Sequence, residues 1–287
     1  MIGIIGGSGL GDAFGKYIYD MEYKDVDTPF GKPSCPVMVG MFGKKQIAFI
    51  NRHGQGHRFS PSDVPYAANI FALKELGVHS LISTAAVGSL RNQISPGDLV
   101  IVDQFIDKTF RRTNSFFNGG FAVHCEMASP VCERLHKIIL EGSKKTGIKT
   151  HPKGTYVCME GPQFSTLAES TMHRAWGGDI IGMTGMPEAK LAREAQMCYA
   201  MIALPSDYDC WRASKASGDK QALLREILGN LQKATHTAIK LIEAVLEKNT
   251  TICSESCSCR KSLKLAVWTA DGQMSPKSKK KLSVLFE

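Results

Sequence analysis

No run of about 18 apolar residues occurs anywhere in this chain, so a membrane-spanning helix is not expected. The opening Met1-Ile2-Gly3-Ile4-Ile5 lacks the basic flank and the length of a secretory signal, which makes a cytoplasmic setting the expectation. A stripe of alternating basic and aromatic residues is also missing, although the formal net charge is +8. The excess gathers near the end, in Arg260-Lys261, Lys264 and the lysines from Lys277 to Lys281, and reads as a solvated tail. Nucleic acid is therefore not an expected partner, nor is a membrane. No linker-like stretch and no internal repeat interrupts the chain before about Asn249. Residues 1–248 read as one domain, and 249–287 as an extension packing on that domain or on a neighbouring subunit.

Two familiar signatures fail on inspection. Gly7-Ser8-Gly9-Leu10-Gly11 resembles a dinucleotide turn, but the third fingerprint glycine, counted from Gly7, falls on Asp12. An acidic residue there repels a pyrophosphate, so NAD is not expected and neither is any other cofactor. The nine cysteines carry no Cys-x-x-Cys pair, and Cys253, Cys257 and Cys259 have no histidine shortly downstream. No metal is expected. Buried free thiols are, with a disulfide in or to that cluster as the alternative in a source that keeps intracellular disulfides.

What the chain does have is alternation. Apolar runs at 1–5, 46–50, 80–84, 99–102, 155–159, 179–183 and 198–204 read as strands. Helical spacing marks 65–76, 130–146, 167–176, 187–196 and a long helix over 219–248, with Asp219 as its N-cap. The third strand is expected to break into Ala85-Ala86-Val87-Gly88. The order implies an α/β fold: a single domain with a central mixed, largely parallel sheet flanked by helices. At 43% hydrophobic residues, 287 positions suffice for one large core.

Polar residues recur where the strands end, which is where open α/β sheets collect ligands. Arg52-His53-Gly54 offers a guanidinium fork and an imidazole to an anion. The small residues around Ala86 let backbone N–H groups approach it. Ser206-Asp207-Tyr208-Asp209 presents two carboxylates directly after an apolar strand, suited to a ligand with hydrogen-bond donors. Trp176, Trp211 and Tyr199 read as packing residues.

Taken in order, the motifs resemble the trimeric purine nucleoside phosphorylase family. The resemblance runs from Ile2-Gly3-Ile4-Ile5-Gly6-Gly7 through Thr28-Pro29-Phe30-Gly31, Arg52-His53-Gly54, Gly88-Ser89-Leu90, Asp103-Gln104-Phe105-Ile106-Asp107 and Glu160-Gly161-Pro162-Gln163-Phe164-Ser165 to Met183-Thr184 and Trp211. It thins beyond Lys248, apart from Ser283-Val284-Leu285. The resemblance implies a phosphate shell of Ser8, Arg52, His53, the Ala86 backbone and Thr184. It implies Met183 at the ribose, Phe164 and Ser165 at the base, and Asp207 and Asp209 at N7 and the exocyclic amine. It also implies a homotrimer, or a hexamer built from two, in which a neighbour's His124 and Leu285 close over a 5′-methylthio group. Two positions depart from some relatives: Ala85 replaces a hydroxyl residue, and Gly182 an Asn.

The implied reaction is phosphorolysis of 5′-methylthioadenosine, with inorganic phosphate as co-substrate. The alternative is a broader activity on adenosine, inosine or methylthioinosine. Cleaving the N-glycosidic bond puts positive charge on the ribose and negative charge on the departing base. A phosphate fixed beneath C1′ answers the first charge and a protonated carboxyl at N7 the second. Burial beside a second carboxylate is expected to raise the pKa of Asp207 for that purpose. Acceptors opposite the purine 6-position favour an amino over an oxo group. A silent nucleoside- or RNA-binding protein is disfavoured, because a binder needs no phosphate beneath C1′.

Overall fold

The computed structural model describes residues 1–7, 10, 14–212, 219–247, 252 and 254–287. Ser8, the remainder of the glycine-rich turn with Asp12, and Cys253 lie outside the described residues.

Among the described residues the strands are β1 (Ile2–Gly6), β2 (Tyr19–Lys24), β3 (Val37–Phe42), β4 (Lys45–Asn51), β5 (Ser80–Ser89), β6 (Leu99–Ile101), β7 (Gln104–Asp107), β8 (Thr150–His151), β9 (Thr155–Cys158), β10 (Ile180–Gly182) and β11 (Cys198–Tyr208). The α-helices are α1 (Tyr66–Glu75), α2 (Glu133–Thr146), α3 (Leu167–Ala175), α4 (Glu188–Glu194), α5 (Lys220–Glu247) and α6 (Pro276–Lys281). Among the described residues one mixed sheet contains all the strands, with a main path β2-β3-β4-β1-β5-β10-β9-β7; β11 branches from β5, β6 pairs with β11, and β8 pairs with β6. This is the α/β architecture expected from the alternation.

Side-chain alternation sorts the central strands between two cores. Ile2, Ile4, Ala200, Ile202 and Leu204 face the layer of α2 and α5, meeting Leu135, Ile139, Ala238 and Ile242. Ile5, Leu81, Met201 and Ala203 face the other layer, meeting Ile70, Phe71 and Leu73 of α1 and Ala189 and Leu191 of α4. Strands buried on both faces have no polar side to display, which explains why β1 and β11 read as unbroken apolar runs. Asp219 caps α5 as expected, its carboxylate accepting from the N–H groups of Gln221 and Ala222 at 2.9 and 3.1 Å.

Two differences from the sequence reading have physical causes. β5 does not break at Ala85; it continues to Ser89 because β11 pairs with it over its whole length. β2 and β3 form an antiparallel edge that was not anticipated, since β2 is polar and largely exposed and has no apolar alternation to announce it. The C-terminal extension packs on its own domain: Leu263, Ala266, Leu282 and Leu285 join the α1–α4 core, and Val123 bridges to Val267.

The feature that positions the site is a fork in the sheet. β1 pairs with Ser80 to Ser83 at the start of β5, in parallel. β10 pairs with Gly88 and Ser89 at its end, antiparallel. With β11 holding the other edge of β5, the edge between Thr84 and Val87 is left open.

Candidate active site

Four strand ends meet at this fork. β1 delivers Gly7, whose N–H donates to Thr84 Oγ1 at 3.4 Å. β4 delivers Arg52 and His53, and the Arg52 N–H donates to the Gly6 carbonyl at 3.0 Å. Along β5, Ala86 and Gly88 are partly exposed while Ala85 and Val87 are buried in the apolar core. A hydroxyl at position 85 would thus enter the core side of the strand, so Ala85 suits its place. Thr184 is buried beside the same opening, since β10 runs antiparallel to β5 and leads back along it.

Arg52 is not the open fork that the sequence suggests. Its side chain is 1% exposed and paired with Glu188, itself 2% exposed. Nε donates to Glu188 Oε2 at 2.9 Å, Nη2 to Glu188 Oε1 and Ser83 Oγ at 3.1 and 2.6 Å, and Nη1 to the Thr84 carbonyl at 2.8 Å. Among the described residues four of its five N–H donors are therefore committed, and one on Nη1, close to Gly7, has no partner there. Tyr199 donates its hydroxyl to Glu188 Oε1 at 2.9 Å, completing a buried network. Burial alone would depress the Arg52 pKa; the Glu188 carboxylate outweighs it and raises it.

His53 likewise takes a defined role. Its Nδ1 lies 2.9 Å from the Phe59 carbonyl, which can only accept, so Nδ1 carries the hydrogen. Burial, and then the Arg52 charge, push the imidazole down to about 4. Near neutral pH the ring is uncharged and Nε2 is an acceptor. The expected second donor to an anion is in fact a partner for a hydroxyl hydrogen.

The acidic pair sits at the far end of β11. Between Pro205 and Asp207 the register with β5 slips, so Ser206 is an extra residue that turns Asp207 to oppose Gly88. Ser206 donates its hydroxyl to Asp207 Oδ1 at 2.8 Å, and Asn230 of α5 holds the Ser206 carbonyl at 3.0 Å. Burial raises the Asp207 pKa; the Ser206 hydrogen bond opposes this, while Asp209 and Glu226 add to it by like charge. Asp209 is 7% exposed, and its Oδ2 is buried without a hydrogen-bond partner among the described residues. An unsatisfied acceptor in such a place costs free energy unless a ligand meets it.

The remaining expected residues distribute as follows. The Ser165 carbonyl accepts from Cys210 Sγ at 3.3 Å, which places Ser165 beside the acidic pair. Phe164 next to it is 85% exposed. Met183 is half-buried, its carbonyl fixed by Arg112 Nη1 at 2.6 Å. His124 is exposed and meets Trp268 edge to face at 5.3 Å. Leu285 is 0% exposed within its own chain, and its carbonyl accepts from Gln196 Nε2 at 3.0 Å.

Sequence reasoning missed the residues that hold these groups. Glu188 lies on α4, far along the chain from Arg52, and no local pattern links them. Arg112 binds Glu160 at 3.1 Å and also the Met183 and Met186 carbonyls, fixing the loop after β10. Burial would raise the Glu160 pKa, but the Ser62 hydroxyl, the N–H groups of Phe110 and Arg111 and the Arg112 charge hold it down to about 2. Tyr156 is fully buried and accepts the Thr184 N–H at 3.3 Å. A Cβ at position 182 would lie 2.1 Å from its hydroxyl, which explains the glycine there.

The comparisons with known proteins bear on the family and the fold. The model of the phosphorylase superfamily matches residues 1–247. An S-methyl-5′-thioadenosine phosphorylase from Cereibacter sphaeroides is 45% identical, over 99% of this chain and 97% of its own length. The crystal structure of a methylthioadenosine phosphorylase from an antarctic soil metagenomic library superposes with a TM-score of 0.88 at 39% identity, over 100% of this chain and 98% of that one. A variant of the adenosine/methylthioadenosine phosphorylase from Schistosoma mansoni, in complex with methylthioadenosine, gives a TM-score of 0.78 at 35% identity over 86% and 90%. The chain belongs to the phosphorylase superfamily.

Proposed function

We propose that this protein is a pentosyltransferase that cleaves 5′-methylthioadenosine with inorganic phosphate, releasing adenine and 5-methylthioribose 1-phosphate. The observation that carries the reading is the acidic pair at the sheet fork. One carboxyl has its pKa raised by burial, and the other has a buried oxygen with no partner among the described residues. In this reading protonated Asp207 donates toward N7 as electrons enter the purine, and Asp209 accepts from the 6-amino group. Phosphate lies between the strand ends, touched by Thr184, the Ala86 backbone and the free Nη1 hydrogen of Arg52, with Ser8 assigned by resemblance. Acting as an acceptor, His53 takes a hydrogen from the phosphate hydroxyl.

Met183 lines the ribose, and Phe164 and Ser165 cover the base. The exposed Phe164 becomes enclosed only when base and neighbouring chain are in place. The same reading makes the protein a homotrimer, or a hexamer of two trimers, with His124 lent by a neighbour to the 5′ pocket. It requires no cofactor, and it places the work in cytoplasmic purine and methionine salvage. Residues 1–248 form the catalytic unit and 249–287 its extension.

Adenine release from methylthioadenosine is expected only when phosphate is present. Equal release without phosphate would identify a hydrolase and overturn the reading. Adenosine is the second substrate to try, because the Schistosoma mansoni relative is named for both nucleosides. A preference for inosine over methylthioadenosine would refute the role given to Asp209.

A further inference from the structure

Away from the sheet fork, at the opposite end of β11, four sulfur atoms converge. Cys132, Cys198, Cys257 and Cys259 have Sγ atoms that all lie within 4.8 Å of one another. Three of the residues are buried and Cys257 is half-buried. We propose that these four cysteines form a tetrahedral thiolate site for zinc, which fastens the C-terminal extension to the domain. The sequence reading expected no metal, because Cys253, Cys257 and Cys259 form no Cys-x-x-Cys pair and have no histidine shortly downstream. Cys132 and Cys198 come from distant elements that only the fold brings near Cys257 and Cys259.

The geometry matches the requirement of the ion. With Zn–S bonds of roughly 2.3 Å, ligands at tetrahedral corners stand about 3.8 Å apart. The Cys132 and Cys257 sulfurs are 3.6 Å apart. Closing the remaining separations needs side-chain rotation of an ångström or less, not backbone movement. A soft, four-sulfur, tetrahedral set selects zinc over hard cations such as magnesium or calcium.

The supporting frame is rigid on the domain side. Cys132 is the N-cap of α2, where the helix macrodipole favours a thiolate. Cys198 opens β11, its N–H donating to the His79 carbonyl at 2.9 Å. The Cys132 N–H donates to the Tyr199 carbonyl at 2.7 Å and ties the two segments together. On the extension side, Cys257 and Cys259 flank the start of a short 3-10 turn, Ser258–Lys261. Four thiolates around one zinc leave a net charge of −2, and Arg134 stands at hand, its Nη2 3.9 Å from Cys198 Sγ. Zinc binding displaces the thiol protons to solvent and changes no oxidation state.

The full chain, purified under reducing conditions without chelator, is expected to carry about one zinc per chain by elemental mass spectrometry. Cobalt(II) in its place should give thiolate-to-metal charge-transfer bands and the intense visible bands of a tetrahedral site. The Cys257→Ser, Cys259→Ser double variant should lose nearly all the metal while keeping its phosphorolysis rate, which shows that it still folds. A wild-type chain that stays metal-free after reduction and incubation with zinc would overturn the proposal. So would two disulfides among these cysteines that prevent uptake until reduced and leave no zinc affinity afterwards. An unchanged metal content in the double variant would place the ion elsewhere and overturn it too.

Discussion

The two ends of the sheet fork handle polar groups in opposite ways. At the β4 end, Arg52, Glu188, Ser83 and Tyr199 satisfy one another, and the buried pair is neutral as a unit. At the β11 end, Asp209 keeps a buried oxygen without a partner among the described residues, and burial raises the Asp207 pKa. The difference separates two jobs that a binding site must do. One end is a frame whose groups are spent on each other and hold backbone donors in place. The other carries free energy that a ligand's donors can release. Residues of the first kind should govern stability, and residues of the second should govern turnover.

Glu188→Gln is the strongest test of the frame. It removes the carboxylate but keeps the shape, leaving a buried guanidinium unpaired, and should cost about 3–5 kcal/mol. Urea unfolding measures this, and a stable variant would mean that the network is not a frame. Asp207→Ala should leave the unfolding midpoint nearly unchanged while lowering kcat by about 10²–10⁴-fold. Asp207→Asn sharpens the point. Because the carboxyl must be protonated to donate, turnover that depends on it falls as pH rises through its raised pKa. The amide donates at every pH, so that alkaline limb should vanish in the pH profile.

Asp209→Ala should reduce kcat/KM for a 6-amino nucleoside by roughly 10–100-fold, the value of one charged hydrogen bond. Stability should hold or rise, since an unpartnered buried acceptor is gone; marked destabilisation would move Asp209 from the ligand end to the frame. The smallest effect concerns His53. Its folded pKa, about 4, lies below the ordinary histidine value of 6.5. Between these values the unfolded chain binds the extra proton, so stability is complete above about 6.5 and declines as pH falls toward 4. The contribution should be about 1–2 kcal/mol once residual solvent contact is allowed for. His79 titrates in the same window, also pushed to about 4 by burial, so the difference between wild type and His53→Gln isolates the effect.

The zinc proposal extends the comparison to the other end of β11. Cys198 opens the strand whose last turn carries Asp207. A single strand thus joins a sulfur cluster that fastens the extension to a carboxylate pair poised for a ligand.

Local pattern was enough for much of this molecule. Continuous apolar runs fixed β1, β4 and β11, because strands covered on both faces exclude polar residues. Asp219 announced the start of α5 through its capping geometry. Asp207 and Asp209 were legible as paired acceptors because two carboxylates directly after a buried strand have few structural uses. Neighbouring chain decided everything else. β5 extends past Ala85 because β11 supplies its ladder, and β2 exists because β3 pairs with it. Arg52 turned from an open fork into half of a buried pair because Glu188 arrives on a helix over a hundred residues later. Four cysteines became one cluster because the fold brings the starts of α2 and β11 to the C-terminal extension. Residue type and spacing determine what a segment can form and which groups it can offer. Which of those groups meet, and which are left waiting for a ligand, is set by contacts between distant segments, to which local periodicity is blind.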